Sequence, residues 1–356
     1  MNLYNIRDDI EKRFILKDTF NERDNPQKKE LMDIKCKIDN IKYKEWERCK
    51  KTLNNYEYIY TSSKTNKNIC GIIPVSRSYF KIYQILKDIE YIDTKGVAAC
   101  IAEGPGGFIH CLNDNTDMEV HGITLISKED KTIPFWNQLI TNNKNNKLFF
   151  CEDNTGDIYV LKNANDFIKT IERSCILVTA DGGFDYSNNY NEQENLSYKL
   201  IYSEIYICLK VQKIKGSFII KFFDIFNYKT IQLIYLLYLC YDTITFFKPI
   251  TSRLSNSEKY IICNGYKGCE NYILQILEKS FNNCENFIID VPEQFINEII
   301  KYNKIFVEKQ IKSINDIINF TKKKEKQNIP TPEQIKTAEQ WCLKYNLPLN
   351  KKCIYL

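Results

Sequence analysis

Short apolar runs alternate with segments of helical spacing through the middle of the chain. "VAACIA" (97–102) is a continuous apolar run, as expected of a parallel strand covered on both faces. "MEVHGITLIS" (118–127) and "KLFFCEDNTGDI" (147–158) read as the second and third strands, and "CILVTADGGF" (175–184) as the fourth. Between the last two, "NANDFIKTIERS" (163–174) predicts a short helix with Asn163 or Asn165 as its cap. "NEQENLSYKLIYSEIYICLKVQKI" (191–214) predicts a long amphipathic helix. "GSFIIKFF" (216–223), "TITFFKP" (243–249) and "EKYIICNGY" (258–266) follow as strands, with "KTIQLIYLLYLC" (229–240) as a helix between the first two. The alternation predicts a doubly wound α/β sheet of about seven strands with helices on both faces, closed by an antiparallel hairpin.

The flanks have a different pattern. Residues 1–70 are polar, with helical spacing in "QKKELMDIKCKIDNIKYKEWERCKKTL" (27–53), while "NYEYIYTSSKTNKN" (55–68) reads as a loop containing one strand. "SRSYFKIYQILKDIEYI" (76–92) predicts a helix in which Phe80, Ile82, Tyr83, Ile85, Leu86 and Ile89 recur at helical spacing. Beyond Gly268 the pattern is helical again, and the run Lys322–Lys324 reads as a solvated helix end. Thr331, Pro332 and Glu333 have the chemistry of a helix start: a cap, a residue preset for the first turn, and an early acid. This gives an extension over 1–70, a central α/β domain over 71–268 and a helical extension over 269–356.

Composition narrows the partners. The net charge is +5, from 50 basic against 45 acidic residues, so contact with nucleic acid requires a local patch rather than bulk charge. The 14 cysteines form no CxxC pair and there are two histidines, so no metal site is expected. Cys100, Cys175, Cys208 and Cys263 lie in apolar runs, where a reduced thiol acts as a small hydrophobe; a reducing intracellular compartment is expected. The opening "MNLYNIRDDIEKRF" has no apolar core of a signal peptide. "TIQLIYLLYLCYDTITFF" is interrupted by Asp242 and reads as a buried helix running into a strand, not a membrane span.

Four ionisable residues stand at or in apolar segments: Lys81, Asp181, Lys221 and Glu258. Each alone has an ordinary reading. Lys81 could snorkel to solvent, Lys221 could reach water from an edge strand, Asp181 could start a turn, and Glu258 could pair with Arg253. Lys221 within "FIIKFF" is the strongest signal, because an unpaired charge on a buried strand is costly. "EGPGGF" (Glu103, Gly104, Pro105, Gly106, Gly107, Phe108) follows the first clear strand, where α/β sheets bind ligands, and its glycines allow close approach of backbone. It is neither GxGxxG nor GxxxxGK[ST]. Two lysines and two carboxylates around one hydroxyl would suit methylation of that oxygen. A lysine serves as base there only if its pKa falls from ~10.4 toward 7–8, through burial or a second cation.

"SRSYFK", "EGPGGF", "TADGGF", "GSFIIKFFDIF" and "FKPITSRLSNSEKYIICNG" together resemble the FtsJ-like ribose 2′-O-methyltransferases. Within that family they are most similar to the mRNA cap methyltransferases of eukaryotes and large DNA viruses. The resemblance covers roughly residues 74–268 and implies a catalytic set of Lys81, Asp181, Lys221 and Glu258, with Lys221 as base or oxygen-orienting group. It implies S-adenosyl-L-methionine as donor, held at Glu103–Phe108, with Asp157 on its adenosine part and Asp153 as the second choice. It implies the capped 5′ end of mRNA as acceptor, methylated on the ribose of the first transcribed nucleotide, and capping-complex proteins as partners. Ribosomal RNA 2′-O-methylation and a non-catalytic RNA-binding scaffold of the same fold are the alternatives. The cap-guanine pocket and the ribose contact of the donor stay unassigned.

Overall fold

The structure, a computed structural model, describes residues 3–20, 25–61, 65–127, 129–130, 132–183, 191–323 and 330–356. Lys324 of the expected solvated helix end lies outside the described residues. In chain order the elements are β1 (Leu3–Asn5), α1 (Pro26–Cys36), α2 (Tyr43–Thr52), α3 (Ser78–Asp88), β2 (Val97–Ile101), α4 (Gly107–Asn115) and β3 (Glu119–Ile123). There follow α5 (Gln138–Thr141), β4 (Asn146–Phe149), α6 (Leu161–Ile171), β5 (Cys175–Ala180), α7 (Gln193–Val211), β6 (Gln212–Phe222) and α8 (Tyr228–Cys240). The chain continues with β7 (Tyr241–Phe247), β8 (Lys259–Tyr266), α9 (Asn271–Ser280), α10 (Glu293–Lys323) and α11 (Pro332–Lys344).

The described residues form two compact units, each discontinuous in sequence. The first takes in Met1–Asn25, Ile92–Lys248 and Glu258–Lys304; the second takes in Pro26–Tyr91, Pro249–Ser257 and Ile305–Leu356. The boundaries at 70 and 268 read from the sequence follow composition, whereas these units follow packing.

The first unit is built on one sheet of eight strands in the order β1-β7-β8-β6-β5-β2-β3-β4. Its five strands β4, β3, β2, β5 and β6 run parallel. β8 runs antiparallel to both β6 and β7, which is the expected closing hairpin. The eighth strand is the correction to the sequence reading. Leu3–Asn5 pairs antiparallel with the outer edge of β7, so the N-terminal residues are not wholly a helical or polar extension. Such a pairing covers an edge whose backbone groups would otherwise face solvent.

The parallel strands are apolar because both faces are covered. Ala98 to Ile101, Leu177, Val178, Ala180 and Phe218 to Ile220 are all fully buried. α7 departs from the amphipathic expectation: every residue from Leu200 to Leu209 is buried, so most of its circumference is packed. α8 is buried to a similar degree and runs into β7, and no helix of the described residues is long and apolar enough to cross a membrane. Strand order reverses between β2 and β5: from β2 the chain moves to β3 and β4, then returns to the other side of β2. That reversal opens a crevice at the carboxyl ends of the two strands.

In the second unit, α11 starts as expected. Thr331 Oγ1 accepts a hydrogen bond from the Gln334 N–H and Gln334 Oε1 accepts one from the Thr331 N–H, with Pro332 in the first turn. Residues 55–68 carry no strand within their described part and instead hold two short 3-10 turns, at Glu57–Ile59 and Thr65–Lys67. Buried Glu57 accepts hydrogen bonds from Arg253 Nη2 and Nε, at 2.8 and 3.0 Å.

Candidate active site

Strand register brings the charged residues of the first unit together. Ala180 of β5 pairs with Ile220 of β6, so the next residues, Asp181 and Lys221, are neighbours at the carboxyl edge. Lys221 in turn pairs with Tyr260 of antiparallel β8. All three side chains meet. The Lys221 Nζ donates to the Asp181 carbonyl at 2.7 Å and lies 3.2 Å from Asp181 Oδ1, while the Tyr260 hydroxyl donates to the same Oδ1 at 2.8 Å. The side chains of Lys221 and Asp181 are 9% and 10% exposed, which settles that Lys221 does not reach open water from an edge. β6 is an inner strand, between β5 and β8.

Glu258 stands one residue before β8, whose amino end shares an edge with the carboxyl ends of the parallel strands. It is buried, and its charge acts on Lys221. Lys81 belongs to the second unit, where it is half-buried on α3 between the buried Phe80 and Ile82. Asp181, Lys221 and Glu258 are thus the predicted residues that one unit brings together.

Electrostatics corrects the expected state of Lys221. Burial pushes its ammonium down, but the charges of Asp181 and Glu258 and the hydrogen bond to Asp181, joined by Glu204 where that carboxyl is ionised, outweigh that and hold it above the ordinary lysine value. A depressed pKa, the condition set for a free lysine base, is not what this site gives. Lys221 is a held ammonium, suited to orient an oxygen through a charge-assisted hydrogen bond. Burial, followed by the charges of Asp181 and Glu258, pushes the Tyr260 phenol well up, so it stays a donor.

Beside Asp181, across the switch point, the turn after β2 is shaped by backbone rather than by charge. Ala102 takes a left-handed conformation at φ 54° and its N–H donates to the Ile123 carbonyl of β3 at 2.8 Å. Gly106 stands at φ 105° as the residue before α4, and a Cβ there would come within 2.6 Å of Ile140 of α5. The Gly104 N–H donates to Thr124 Oγ1 at 3.0 Å. Glu103 turns inward: it is 3% exposed and accepts the Phe108 N–H at 2.9 Å and the Ile109 N–H at 3.4 Å, satisfying the first amides of α4. Burial, then the Asp181 charge, pushes its carboxyl well above the usual range against the pull of those amides and of Lys221.

The loop after β4 completes this rim. Gly156, at φ 59°, lies so close to the loop after β3 that a Cβ would sit 2.0 Å from the Thr124 carbonyl. Asp157 is half-buried and accepts the Tyr159 N–H at 2.8 Å. Asp153 is taken up internally by Thr155 and by Asn163, at 2.9 Å. Asn163 is therefore no cap. α6 starts at Leu161 after Val160, and Asn163 is buried inside it, bridging Asp153 and the Asp157 carbonyl at 3.1 Å. Asn165 donates to Glu278.

Three residues of the site were missed in the sequence: Tyr260 of β8 and two buried carboxyls of α7. Glu204, 1% exposed, accepts the Gly182 N–H at 3.2 Å, and burial pushes its pKa up to about 8. Glu194, 5% exposed, accepts the Phe226 and Asn227 N–H groups, each at 2.8 Å, at the start of α8, and burial pushes it up to about 7. A lone carboxylate in "YSEIYICL" is the same kind of signal that marked Lys221 in "FIIKFF".

A glycine-shaped rim beside a charge-paired lysine can hold a small ligand main chain to main chain and present it to a hydrogen-bonded acceptor. Residues 74–266, over half of the 356-residue chain, match the model of the FtsJ-like methyltransferase family. Among curated proteins, a cap-specific mRNA (nucleoside-2′-O-)-methyltransferase 2 of Pongo abelii is 31% identical over 269 residues, which is 68% of this chain and 34% of that protein. Its namesake in Danio rerio is 30% identical over 238 residues, 58% of this chain and 30% of that protein. A cap-specific mRNA (nucleoside-2′-O-)-methyltransferase 1 of Mus musculus is 41% identical over 120 residues, 32% of this chain and 14% of that protein. The chain thus spans about a third or less of the length of these relatives. On the extent of the family match, and in agreement with its fold, the chain belongs to the FtsJ-like methyltransferase family.

Proposed function

We propose that this chain methylates the ribose 2′-oxygen of the first transcribed nucleotide of capped mRNA, with S-adenosyl-L-methionine as donor. The observation that carries the reading is the Lys221 ammonium held by Asp181 at the strand-switch crevice, beside the glycine turn. The names of the relatives supply the acceptor, and the vertebrate origin of those relatives lends nothing to the viral half of the resemblance.

The rim fits such a donor. Gly104, Pro105, Gly106, Gly107 and Phe108 would hold its amino-acid end through main chain, and Asp157 its adenosine part; Glu103 would support the turn from beneath, since its carboxyl is spent on α4. When bound, the donor supplies an electrophilic methyl on sulfur. The protein's own work is to align the hydroxyl, worth ~7–11 kcal/mol of such a barrier, and to ease loss of its proton, which passes to solvent as the oxygen takes the methyl. Lys221 donates to that oxygen, and Asp181 with Tyr260 keeps the ammonium in place. Glu258 adds to the field that keeps Lys221 charged. Lys81 joins the reaction on its motif alone.

The test is methyl transfer from tritiated S-adenosyl-L-methionine to matched RNAs. Label on capped RNA and little on uncapped RNA is expected. Equal labelling of both removes the cap from the proposal, and label at internal positions of ribosomal RNA moves the acceptor there. A folded protein giving no heat with the donor in calorimetry is a scaffold instead.

A further inference from the structure

Lys221 and Glu204 grip opposite ends of one peptide group. The Asp181 carbonyl, which accepts the Lys221 Nζ at 2.7 Å, and the Gly182 N–H, which donates to Glu204 Oε1 at 3.2 Å, belong to the same planar unit. A donor on one end and an acceptor on the other fix its plane, and each bond polarises the peptide in the sense that strengthens the other. The fit leaves no slack. A Cβ on Gly182 would lie 2.4 Å from Glu204 Oε1, 2.8 Å from Leu200 and 3.0 Å from Ala102, so only glycine brings this peptide against α7. Glu204 is 1% exposed, and the charged groups that face it are Lys221 of β6 and Asp181 at the end of β5.

We infer that Glu204 is a positioning residue: it holds the Asp181–Gly182 peptide and thereby sets where Asp181 presents Lys221 to the methyl acceptor. The inference rests on the methyl-transfer reading of the site. Glu204 touches no reacting atom. It acts through a backbone group that would otherwise be buried with its N–H unmatched, and loss of such a partner is felt fully. Its proton state matters too. Burial holds the carboxyl neutral up to about 8, so in neutral solution it accepts the amide without adding a buried negative charge; above that value it ionises opposite Lys221.

The experiment compares the wild-type chain with Glu204→Gln, which keeps an oxygen for the Gly182 amide but cannot ionise, and Glu204→Leu, which keeps volume and removes the acceptor. For Glu204→Leu the expected result is a fall in kcat of roughly tenfold or more, with KM and calorimetric donor affinity unchanged. Wild type should change in rate on the alkaline side with a midpoint of about 8, and Glu204→Gln should retain kcat within about threefold in neutral solution and lack that change. Wild-type kcat in Glu204→Leu overturns the inference, as does an equal loss in both variants. Should Glu204→Leu not fold, nitrogen-15 NMR of Gly182 decides: its amide shift should titrate with a midpoint of about 8 in wild type and not in Glu204→Gln. A Gly182 amide indifferent to pH in wild type overturns the clamp. A wild-type chain that binds donor yet labels no capped RNA defeats the acceptor assignment instead, and the amide titration then still reports on the clamp by itself.

Discussion

The two halves of the crevice are made from different materials. On the side of β5 and β6 the site is a set of charged side chains, buried, and fixed by one another: Lys221 on Asp181, Tyr260 on Asp181, Glu204 beneath. On the side of β2, β3 and β4 it is backbone, with Ala102, Gly106 and Gly156 at positive φ and loops packed against each other. The first half should therefore fail when a charge is removed, and fail in the chemical step. The second should fail when shape is altered, and fail in binding.

The largest effect is expected from Lys221→Ala. Methyl transfer should fall by at least about 10²-fold, because a preorganised donor to the reacting oxygen is lost, while donor affinity measured by calorimetry stays within a few-fold. Loss of both together would erase the distinction between the halves. Gly106→Val comes next. A β-branched residue at φ 105° is strained, and its Cβ meets Ile140, so donor affinity should weaken by roughly tenfold or more, with transfer recovering at saturating donor. Unchanged affinity would place the donor elsewhere. Asn163→Leu is a milder change on the same side. It removes one hydrogen bond each from Asp153 and the Asp157 carbonyl, and a several-fold weaker donor dissociation constant with unaltered kcat is expected.

Much of the charged half was legible in the sequence, and the reasons are physical. An ionisable residue inside a continuous apolar run can hardly be accidental, and parallel register does the rest, carrying Asp181 to the neighbour position of Lys221. The same logic was not extended to α7, because its polar residues were assigned to a solvent face. Burial of Leu200 through Leu209 leaves no such face there, and Glu204 sits inside. β1 was hidden for another cause: three residues carry no period, and their pairing is decided by the exposed edge of β7. The cap of α6 was misplaced because the helix begins two residues before Asn163, whose amide is used to tie the loop after β4. Charge state was the least legible. Burial alone argues for a depressed lysine, and only the location of its carboxylate neighbours, Asp181 and Glu258 foremost, reverses the sign.

The smallest expected effect concerns stability. Glu194 is raised in the folded chain from its ordinary 4.5 to about 7, so the folded state binds the proton more tightly than the unfolded one. The Glu194 contribution to stability should then fall as pH rises from about 4.5 to about 7 and level off above, since at this site the unfolded chain binds fewer protons in that window. Urea midpoints should follow this slope in wild type. Glu194→Gln keeps an acceptor for the Phe226 and Asn227 amides and should make it shallower, leaving the part due to Glu103 and Glu204. An unchanged slope would mean that the helix start, and not the ionisation of Glu194, governs that corner.

The central claim is that a lysine kept charged by buried carboxylates directs methyl transfer to a ribose oxygen. Its most direct test is to incubate wild type and Lys221→Ala with labelled donor and capped RNA, digest to nucleosides, and locate the methyl. The account predicts a 2′-O-methyl group on the first transcribed nucleotide that is present with wild type and absent with the variant. A methyl on a base, or a ribose methyl formed equally well by Lys221→Ala, would contradict it.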